Sequence, residues 1–355
     1  MAEIKVSFWN VQNLFDTTAS PIAADLEFTP AEGWTPAVFD IKVKNLAAII
    51  KQMHGGQGPD LLGLCEVENQ PVVDSLIAEI GNPKYKLAHV ESPDIRGIDC
   101  SLIYSKDAFH DPQPADMAGH LVHFRYPTRD IFQVRLRVKA NDAELNVFVN
   151  HWPSRSQGQF ESEPHRITVG ERCGRLVDDV LKLDRTAFQN VPDTAAGMAT
   201  LNARWNRNVL VMGDLNDEPF SRSVTDYLLA SKDLDKVEEL LKPAPNHEIP
   251  EIKTYLQRSP ALINLSWPQL AEPDNGTYYY GGGASNTMNL LDQFIVSRGL
   301  YFGASSLKVR PGSAQIFRAA DMSVGARRRP RKFDKQTQLG FSDHFPISLV
   351  LDTVP

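Results

Sequence analysis

The sequence has few cysteines and no long apolar stretch. Its 355 residues include 3 cysteines, Cys65, Cys100 and Cys173, at wide and unrelated spacings. An odd number of scattered cysteines argues against a disulfide framework. No run of eighteen apolar residues occurs, so no membrane-spanning helix is predicted. The N-terminal residues also lack the order of basic, apolar and small residues of a secretory leader, which predicts a cytoplasmic protein.

The chain also has no excess of positive charge. It carries 37 basic against 44 acidic side chains, for a formal net charge of −7. This balance excludes a generally basic protein that coats nucleic acid, so any attraction to a polyanion must be local. Five cations occupy the six positions 327–332. Such a run is expected to be a solvated loop unless catalytic residues lie beside it.

Apolar runs of strand length recur along the chain, with segments of helical periodicity between some of them. The predicted strands cover residues 4–9, 61–65, 101–104, 131–138, 146–149, 209–212, 294–296 and 346–351. The predicted helices cover residues 39–53, 72–80, 165–183, 221–230 and 234–241. This mixture predicts an α/β protein with mixed sheets. We expect a single domain over residues 1–355, with insertions near residues 184–207, 243–275 and 310–340.

Acids, amides and a histidine follow four of the apolar runs. They are Asn10 with Asn13, Glu66, Asn150 with His151, and Asp214 with Asn216. In α/β sheets, ligands bind at the carboxyl ends of the strands. Two more groups, Asp292 and the pair Asp343 and His344, come before or early in their strands. For all six groups to meet, those two strands must run antiparallel to the other four.

Convergence would crowd the carboxylates of Glu66, Asp214, Asp292 and Asp343 into one cleft. Left alone they would repel one another, and a divalent cation would remove that conflict. Oxygen ligands with no thiolate nearby suit Mg²⁺, Mn²⁺ or Ca²⁺ better than zinc. A hard cation beside Asp, Asn and His side chains suits attack on a phosphate, because it neutralises phosphoryl charge while the side chains move protons and stabilise the oxyanion.

Seven segments carry a resemblance to a known family. They read SFWNVQNLFD, LLGLCEVEN, RGIDCSLIY, FVNHWPSR, VMGDLNDEP, LLDQFIVS and GFSDHFPI, in this order. Together they resemble the signature blocks of the endonuclease/exonuclease/phosphatase superfamily, which includes deoxyribonuclease-like enzymes, and they span residues 7–347. The resemblance implies a four-layer sandwich of two packed mixed β-sheets flanked by helices, and a metal-dependent phosphoric ester hydrolase.

The resemblance also implies a metal site. Asn10 would lie near the metal and the phosphate, Glu66 would be the principal metal ligand, and Asp343 would belong to the same site. This sequence departs from the family pattern at Cys65, which stands where a glutamine usually precedes the metal-binding glutamate. The carboxylate is retained, so the departure concerns the local hydrogen bonding.

The remaining matches imply catalytic roles. Asp214 would orient or deprotonate the attacking water, and Asn216 would steady the developing charge. His151 would contact the phosphate. Asp292 would pair with His344, which in its charged form would hold the scissile phosphate.

These observations predict a phosphodiesterase that uses a divalent metal, of nuclease type, with a nucleic acid as substrate and no obligate protein partner. Asn13, Arg155 and Arg329 are the candidate substrate contacts, and Tyr278–Tyr280 either stack on a base or pack under a loop. A phospholipid or inositol-phosphate phosphoesterase is an alternative, although no lipid-facing patch is evident. A binding module without catalysis is another alternative, and the complete set of acids, amides and histidines argues against it.

Overall fold

Two large β-sheets and the helices outside them make up the structure. The computed structural model describes residues 2–18, 23–122, 128–272, 275–281, 287–325 and 328–354. In these ranges the strands are β1 (Glu3–Leu14), β2 (Leu61–Val67), β3 (Tyr85–His89), β4 (Asp99–Ser105), β5 (Met117–His120), β6 (Ile131–Arg137), β7 (Glu144–His151), β8 (Asn208–Asp214), β9 (Ala230–Ser231), β10 (Leu262–Asn264), β11 (Tyr278–Tyr280), β12 (Thr287–Asn289), β13 (Asp292–Val296), β14 (Leu307–Val309), β15 (Gln315–Ile316), β16 (Ser323–Val324), β17 (Arg329–Pro330) and β18 (Ile347–Thr353).

The helices of the same ranges lie between these strands. They are α1 (Pro36–Gly56), α2 (Gln70–Ile80), α3 (Glu163–Leu181), α4 (Arg185–Gln189), α5 (Ala195–Trp205), α6 (Leu234–Glu238), α7 (Ile252–Gln257) and α8 (Arg298–Phe302). Short 3₁₀ segments cover Ala23–Phe28, Pro30–Glu32, Pro114–Asp116, Trp267–Ala271 and Ala320–Met322, and a π-helical turn covers Ser223–Tyr227. None of the described helices is both long enough and apolar enough to cross a bilayer.

Each large sheet has a parallel pair of strands at its centre. The first sheet has the order β14-β18-β1-β2-β4-β3, with β15 also on β18, and the second has the order β5-β6-β7-β8-β13-β10-β9. The pair β1 and β2 is parallel, as is the pair β7 and β8. Strand β18 runs antiparallel to β1, and β13 runs antiparallel to β8. The antiparallel course required by the sequence for these two strands is therefore confirmed.

Strand alternation builds the core between the sheets. On β2, Leu61 and Cys65 face the second sheet, whereas Leu62 and Leu64 face the helices. On β8, Leu210 and Met212 face the first sheet, whereas Val209 and Val211 face α3. Because side chains alternate between the two faces of a strand, a fully apolar strand needs a partner layer on each side.

Helices α1 and α2 cover the outer face of the first sheet, and α3 covers that of the second. Helix α1 begins at the cap Thr35, whose side chain accepts a hydrogen bond from the Val38 amide, and α2 begins in the same way at Asn69. The order of layers is helix, sheet, sheet, helix. The predicted four-layer sandwich is confirmed.

The predicted strands and longer helices are present in the structure, and the differences lie in the connecting segments. The helix predicted over residues 221–230 is the short π-helical turn. Helices α4, α5 and α7 lie within two of the segments expected to be insertions.

The absence of a side chain at Gly213 allows β7 and β8 to lie close together. A Cβ atom at this position would collide with the backbone carbonyl of Asn150 on β7. Gly213→Ala should separate the two strands and lower the free energy of unfolding by about 1–3 kcal/mol in urea denaturation. Gly63→Ala is the control, because its Cβ would meet the movable side chains of Met212 and Phe8. An equal loss in both variants would contradict this account.

Candidate active site

The polar groups predicted from the sequence meet at one edge of the sandwich, between the two sheets. Asn10 and Glu66 come from β1 and β2 of the first sheet. His151 and Asp214 end β7 and β8 of the second sheet and stand directly opposite each other in register. Asp292 begins β13 and is paired in register with Asp214. The antiparallel direction of β13 thus places its first residue at the same edge as the last residue of β8.

The segment before β18 brings His344 to the same edge. The hydroxyl of Ser342 donates to the carbonyl of Asn10 at 2.6 Å, and the indole Nε1 of Trp9 donates to the carbonyl of His344 at 2.9 Å. Both bonds join the segment to β1. They fix the backbone from which the Asp343 and His344 side chains project.

The side-chain amide of Asn10 joins carboxylates from both sheets. Its Nδ2 donates to Oε1 of Glu66 at 3.2 Å and to Oδ2 of Asp214 at 3.1 Å. Its Oδ1 accepts the amide of Gln12 at 3.0 Å. Because the two hydrogens of Nδ2 are directed to two acceptors, the amide sets the separation of the two carboxylates.

Several backbone positions at this edge are left-handed without being glycine. The φ angles are 56° at Gln12, 53° at Asn13, 62° at Glu66 and 49° at Asn216. The pairing of β1 with β2 is irregular between Asn10 and Leu14. This irregularity lets the amide of Asn13 turn back and donate to Oε2 of Glu66 at 2.9 Å. Non-glycine residues in this region are uncommon and cluster at functional sites.

His344 is held as a cation by two buried carboxylates. Its Nδ1 lies 2.7 Å from Oδ2 of Asp292, and its Nε2 lies 3.7 Å from Oδ2 of Asp214. Burial on its own lowers the pKa of the imidazole, but Asp292 and then Asp214 raise that pKa well above its ordinary value. The protonated ring therefore presents an Nε2–H group toward the centre of the site.

His151, in contrast to His344, is neutral. Burial, followed by the nearby guanidinium groups of Arg129 and Arg96, lowers the pKa of His151 well below its ordinary value. Its Nε2 lies 3.4 Å from a terminal nitrogen of Arg129 and 3.6 Å from Oε1 of Glu66. Its buried Nδ1 has no hydrogen-bond partner among the described residues. The site therefore contains one neutral and one charged imidazole.

Two carboxyl groups of the site hold protons more tightly than usual. Burial, opposed by His344 and assisted by Asp292, raises the pKa of Asp214 to about 6. Burial, with Glu66 as a further cause, raises the pKa of Asp343. Negative charge is thus concentrated around Glu66, Asp214 and Asp343, and a bound cation would relieve the repulsion among them.

Lys42 supports the site from behind. It is almost fully buried on α1, and its ammonium group donates to the carbonyls of Gln12 and Asn13. The ammonium also lies 5.7 Å from the ring centre of Trp34 and 5.3 Å from that of Phe333. Lys42 therefore stabilises the left-handed turn that directs Asn13 to Glu66.

Arg155 lies against the loop that follows β8. Its Nε donates to the carbonyl of Asn216 at 2.6 Å, and its terminal nitrogen contacts Oδ1 of Asp217 at 3.2 Å. Buried Arg166 contacts the same oxygen at 2.9 Å. The amide of Asn216 donates to the Trp152 carbonyl at 3.0 Å. In this conformation Arg155 orders the loop, and its substrate contact stays a prediction.

A cavity of about 520 Å³ opens beside Asp343. Its walls include Tyr278, Tyr279, Arg329, Arg331 and Lys332. The guanidinium of Arg329 lies 5.6 Å from the ring centre of Tyr279, and the ring of Tyr278 lies 4.8 Å from that of His344. The basic run therefore reaches the site through residues 329–332. Arg327, at the start of that run, lies outside the described residues.

The Endonuclease/Exonuclease/phosphatase family matches this chain over residues 5–191 and 194–353. The chain belongs to this family. The resemblance inferred from the seven segments is thereby confirmed. No curated protein matches the chain at a significant level.

Three solved structures show the same fold. An endonuclease/exonuclease/phosphatase family protein from Bacteroides thetaiotaomicron is 14% identical, with a TM-score of 0.55, and the alignment covers 99% of this chain and 98% of that one. The mannosyl-6-phosphatase Bt3783 of the same species is 14% identical, with a TM-score of 0.53 and coverage of 98% and 99%. The human Nocturnin catalytic domain with bound sulfate is 15% identical, with a TM-score of 0.53 and coverage of 99% and 95%.

Members of the endonuclease/exonuclease/phosphatase family are phosphoric ester hydrolases that use divalent metals, and the donor set of this chain fits such an ion. Asp214, Asp292 and His344 have potential ligand atoms within 4.8 Å of one another. Nδ1 of His344 is already occupied by Oδ2 of Asp292 at 2.7 Å, and its Nε2 faces Oδ2 of Asp214 at 3.7 Å. The oxygens of Glu66, Asp343 and Asn10 are the better candidates, because hard cations prefer oxygen ligands.

Three residues of the site were not predicted from the sequence: Lys42, Arg96 and Arg129. Lys42 falls on the apolar stripe of α1 with Phe39, Val43 and Leu46, and this position could have revealed it. Arg96 donates to Oδ1 of Asn13 at 3.2 Å, and it opens one of the seven segments. Arg129 lies in a loop without a distinctive pattern.

Asp292→Asn should lower the pKa of His344, because it removes the carboxylate that chiefly raises that pKa. NMR titration of the ring would measure the change. Phosphoester hydrolysis should fall about 10²-fold or more, which is the range for loss of a proton-transferring or charge-stabilising group. Asp142→Asn, beside the exposed His110, is the control. An unchanged His344 pKa would refute the assigned charge state.

Lys42→Met should loosen the turn at Gln12 and Asn13, because their carbonyls lose a buried donor. The free energy of unfolding should fall by about 1–3 kcal/mol, and Mn²⁺ affinity, followed by calorimetry, should weaken. Lys51→Met is the matched control on the same helix, since its ammonium is exposed and donates to the Glu79 carbonyl. Equal Mn²⁺ affinity in both variants would argue against the supporting role of Lys42.

Proposed function

We propose that this protein hydrolyses phosphodiester bonds of nucleic acid with the aid of a divalent cation, Mg²⁺ in the first place, with Mn²⁺ or Ca²⁺ as alternatives. The observation that carries the proposal is the Asn10 amide, which holds Glu66 and Asp214 together at the meeting point of the two sheets. A metal-binding acid, a candidate base and a charged imidazole lie within a few ångströms of one another there.

Asp214 would activate the attacking water. Its Oδ1 accepts a hydrogen bond from the backbone amide of Asn216 at 2.9 Å, and its Oδ2 accepts one from Nδ2 of Asn10. Both oxygens are therefore oriented. A pKa of about 6 lets this carboxylate be ionised at neutral pH while remaining a stronger base than an ordinary aspartate. The water would then attack the phosphorus in line with the leaving oxygen, and Asp214 would receive its proton.

Positively charged groups on two sides would stabilise the negative charge of the phosphoryl group. His344, charged through Asp292, would donate Nε2–H to one phosphoryl oxygen. His151 would contact the phosphate, and the guanidinium groups of Arg96 and Arg129 lie close enough to add positive charge. A cation held by Glu66 and Asp343, with Asn10 beside it, would neutralise phosphoryl charge and stabilise the leaving oxygen.

Asn216 would steady the charge that develops during the attack. Its backbone is left-handed, and its position is fixed by Trp152 and Arg155. Asn13 and Arg155 would contact the substrate next to the reacting phosphate. The role of Asn216 follows the family resemblance, whereas that of Arg155 follows from its charge and its position shortly after His151.

The cavity beside Asp343 favours a nucleic acid among phosphoric esters. Its tyrosines provide flat apolar surfaces for a base, and Arg329, Arg331 and Lys332 provide positive charge for flanking phosphates. This local charge would attract a polyanion to a chain whose net charge is −7.

A substrate panel tests the proposal. Single-stranded DNA, duplex DNA, RNA, sphingomyelin vesicles, inositol phosphates and mannose 6-phosphate would be compared with Mg²⁺ or Mn²⁺ and with EDTA. We expect metal-dependent cleavage of nucleic acid that EDTA abolishes. Asp214→Asn and His344→Ala should each lower turnover by at least about 10³-fold, since each removes a contact made in the transition state.

Variants of an exposed pair control for general effects of mutation. His110→Ala and Asp142→Asn alter a histidine and aspartate pair 3.5 Å apart on the surface, and they should leave turnover unchanged. Faster cleavage of a lipid or an inositol phosphate than of any nucleic acid would replace the proposed substrate. No metal binding and no hydrolysis of any compound would instead favour a binding module.

A further inference from the structure

A second group of metal-ligating side chains lies on the outer strands β3 and β4 of the first sheet, where Asp99 is paired in register with Val67, the residue after Glu66. His89 ends β3, Asp99 begins β4, and Glu91 follows His89 by two residues. Their potential ligand atoms all lie within 4.8 Å of one another. The side chains of His89 and Asp99 are 3% and 2% exposed, whereas that of Glu91 is 62% exposed. The group is thus a buried pair with one carboxylate on the solvent side.

The distances in this group are those of a hydrogen-bonded ion pair, and they also suit the ligands of a small metal ion. Nε2 of His89 lies 3.0 Å from Oε1 of Glu91 and 3.4 Å from Oδ2 of Asp99. Two ligand atoms on a tetrahedral zinc ion with bonds of 2.0–2.1 Å are about 3.3–3.4 Å apart. A zinc ion bound among these atoms would take the nitrogen and one oxygen of each carboxylate as three ligands, with water as the fourth.

Two hydrogen-bonding observations support the same reading. Nε2 of His89 carries at most one proton, which one carboxylate oxygen accepts, and Oδ2 of buried Asp99 has no hydrogen-bond partner among the described residues. Its other oxygen accepts the amide of Ser92 at 2.9 Å. Nδ1 of His89 lies 2.7 Å from the hydroxyl of Ser101, which can fix the tautomer that leaves Nε2 free to bind a metal.

We propose that His89, Glu91 and Asp99 bind a second divalent cation, of the zinc class, with water as the fourth ligand. The mixture of one imidazole and two carboxylates suits Zn²⁺ better than Mg²⁺. This distinguishes the group from the oxygen-rich site around Glu66. The proposal does not depend on the substrate or the chemistry proposed above.

The position of this site gives the cation a structural consequence. Its ligands stand at both ends of the loop of residues 90–98, which joins β3 to β4. Asp94 in this loop lies 3.8 Å from Arg129, and Arg96 donates to Asn13. A cation at the base of the loop would therefore order the residues that bring Arg96 to the active site.

The test measures binding of Zn²⁺ to the metal-free full chain by titration against a chromogenic chelator. Glu91→Gln is the main variant, because its exposed side chain can change without disturbing the core. We expect this variant, and His89→Gln, to bind one Zn²⁺ fewer than the wild-type protein or to bind it at least about 10-fold more weakly. His110→Gln and Asp142→Asn, from the exposed pair with a single carboxylate, should bind Zn²⁺ as the wild type does.

A second background separates this site from the active site. The Glu66→Gln protein should still bind the proposed Zn²⁺. The double variant that also carries Glu91→Gln should lose it. Co²⁺ in the Glu66→Gln protein should give the visible absorption of a tetrahedral ion, and the double variant should not. The proposal would be overturned if Glu91→Gln bound Zn²⁺ with the stoichiometry and affinity of the wild type. A folded His89→Gln variant would then also have to bind Zn²⁺ as the wild type does.

Discussion

The amide of Asn10 is the interaction on which the arrangement of the site depends. It takes Glu66 from its own sheet and Asp214 from the opposite sheet as acceptors. Two carboxylates at this separation repel each other, and the shared donor compensates part of that repulsion. Because each acceptor is the last polar residue of an apolar strand, the packing of the core between the sheets fixes where the two charges stand.

Burial then divides the titratable groups into different charge states. His344 has two carboxylates within reach and is charged, whereas His151 faces arginines and is neutral. The same desolvation raises the pKa of Asp214 to about 6. Groups of one residue type thus acquire separate chemical roles from their surroundings, which is the usual way that one fold carries both acid and base chemistry.

The sequence pattern allowed the mixed α/β class and the meeting of the polar groups to be predicted from apolar runs and their ends, whereas the four layers were implied by the family resemblance. The antiparallel course of β13 and β18 was deducible in the same way, since Asp292 and His344 precede their strands. Lys42, Arg96 and Arg129 were not predicted. Their contacts depend on a turn with left-handed backbone and on loops, and hydrophobic periodicity does not encode the paths of loops. The charge states of the two histidines likewise depend on neighbours that are distant in sequence.

The left-handed residues at the site have a consequence for how this protein can evolve. Backbone held in that region costs about 1–3 kcal/mol at a non-glycine residue, and the rest of the fold must supply this energy. Gln12 and Glu66 are both held there without being glycine. Variants selected only for thermal resistance would therefore gain stability by releasing this turn, and they would lose the alignment of the carboxylates. Thermal stability and catalytic geometry therefore place opposite demands on the backbone at these few residues.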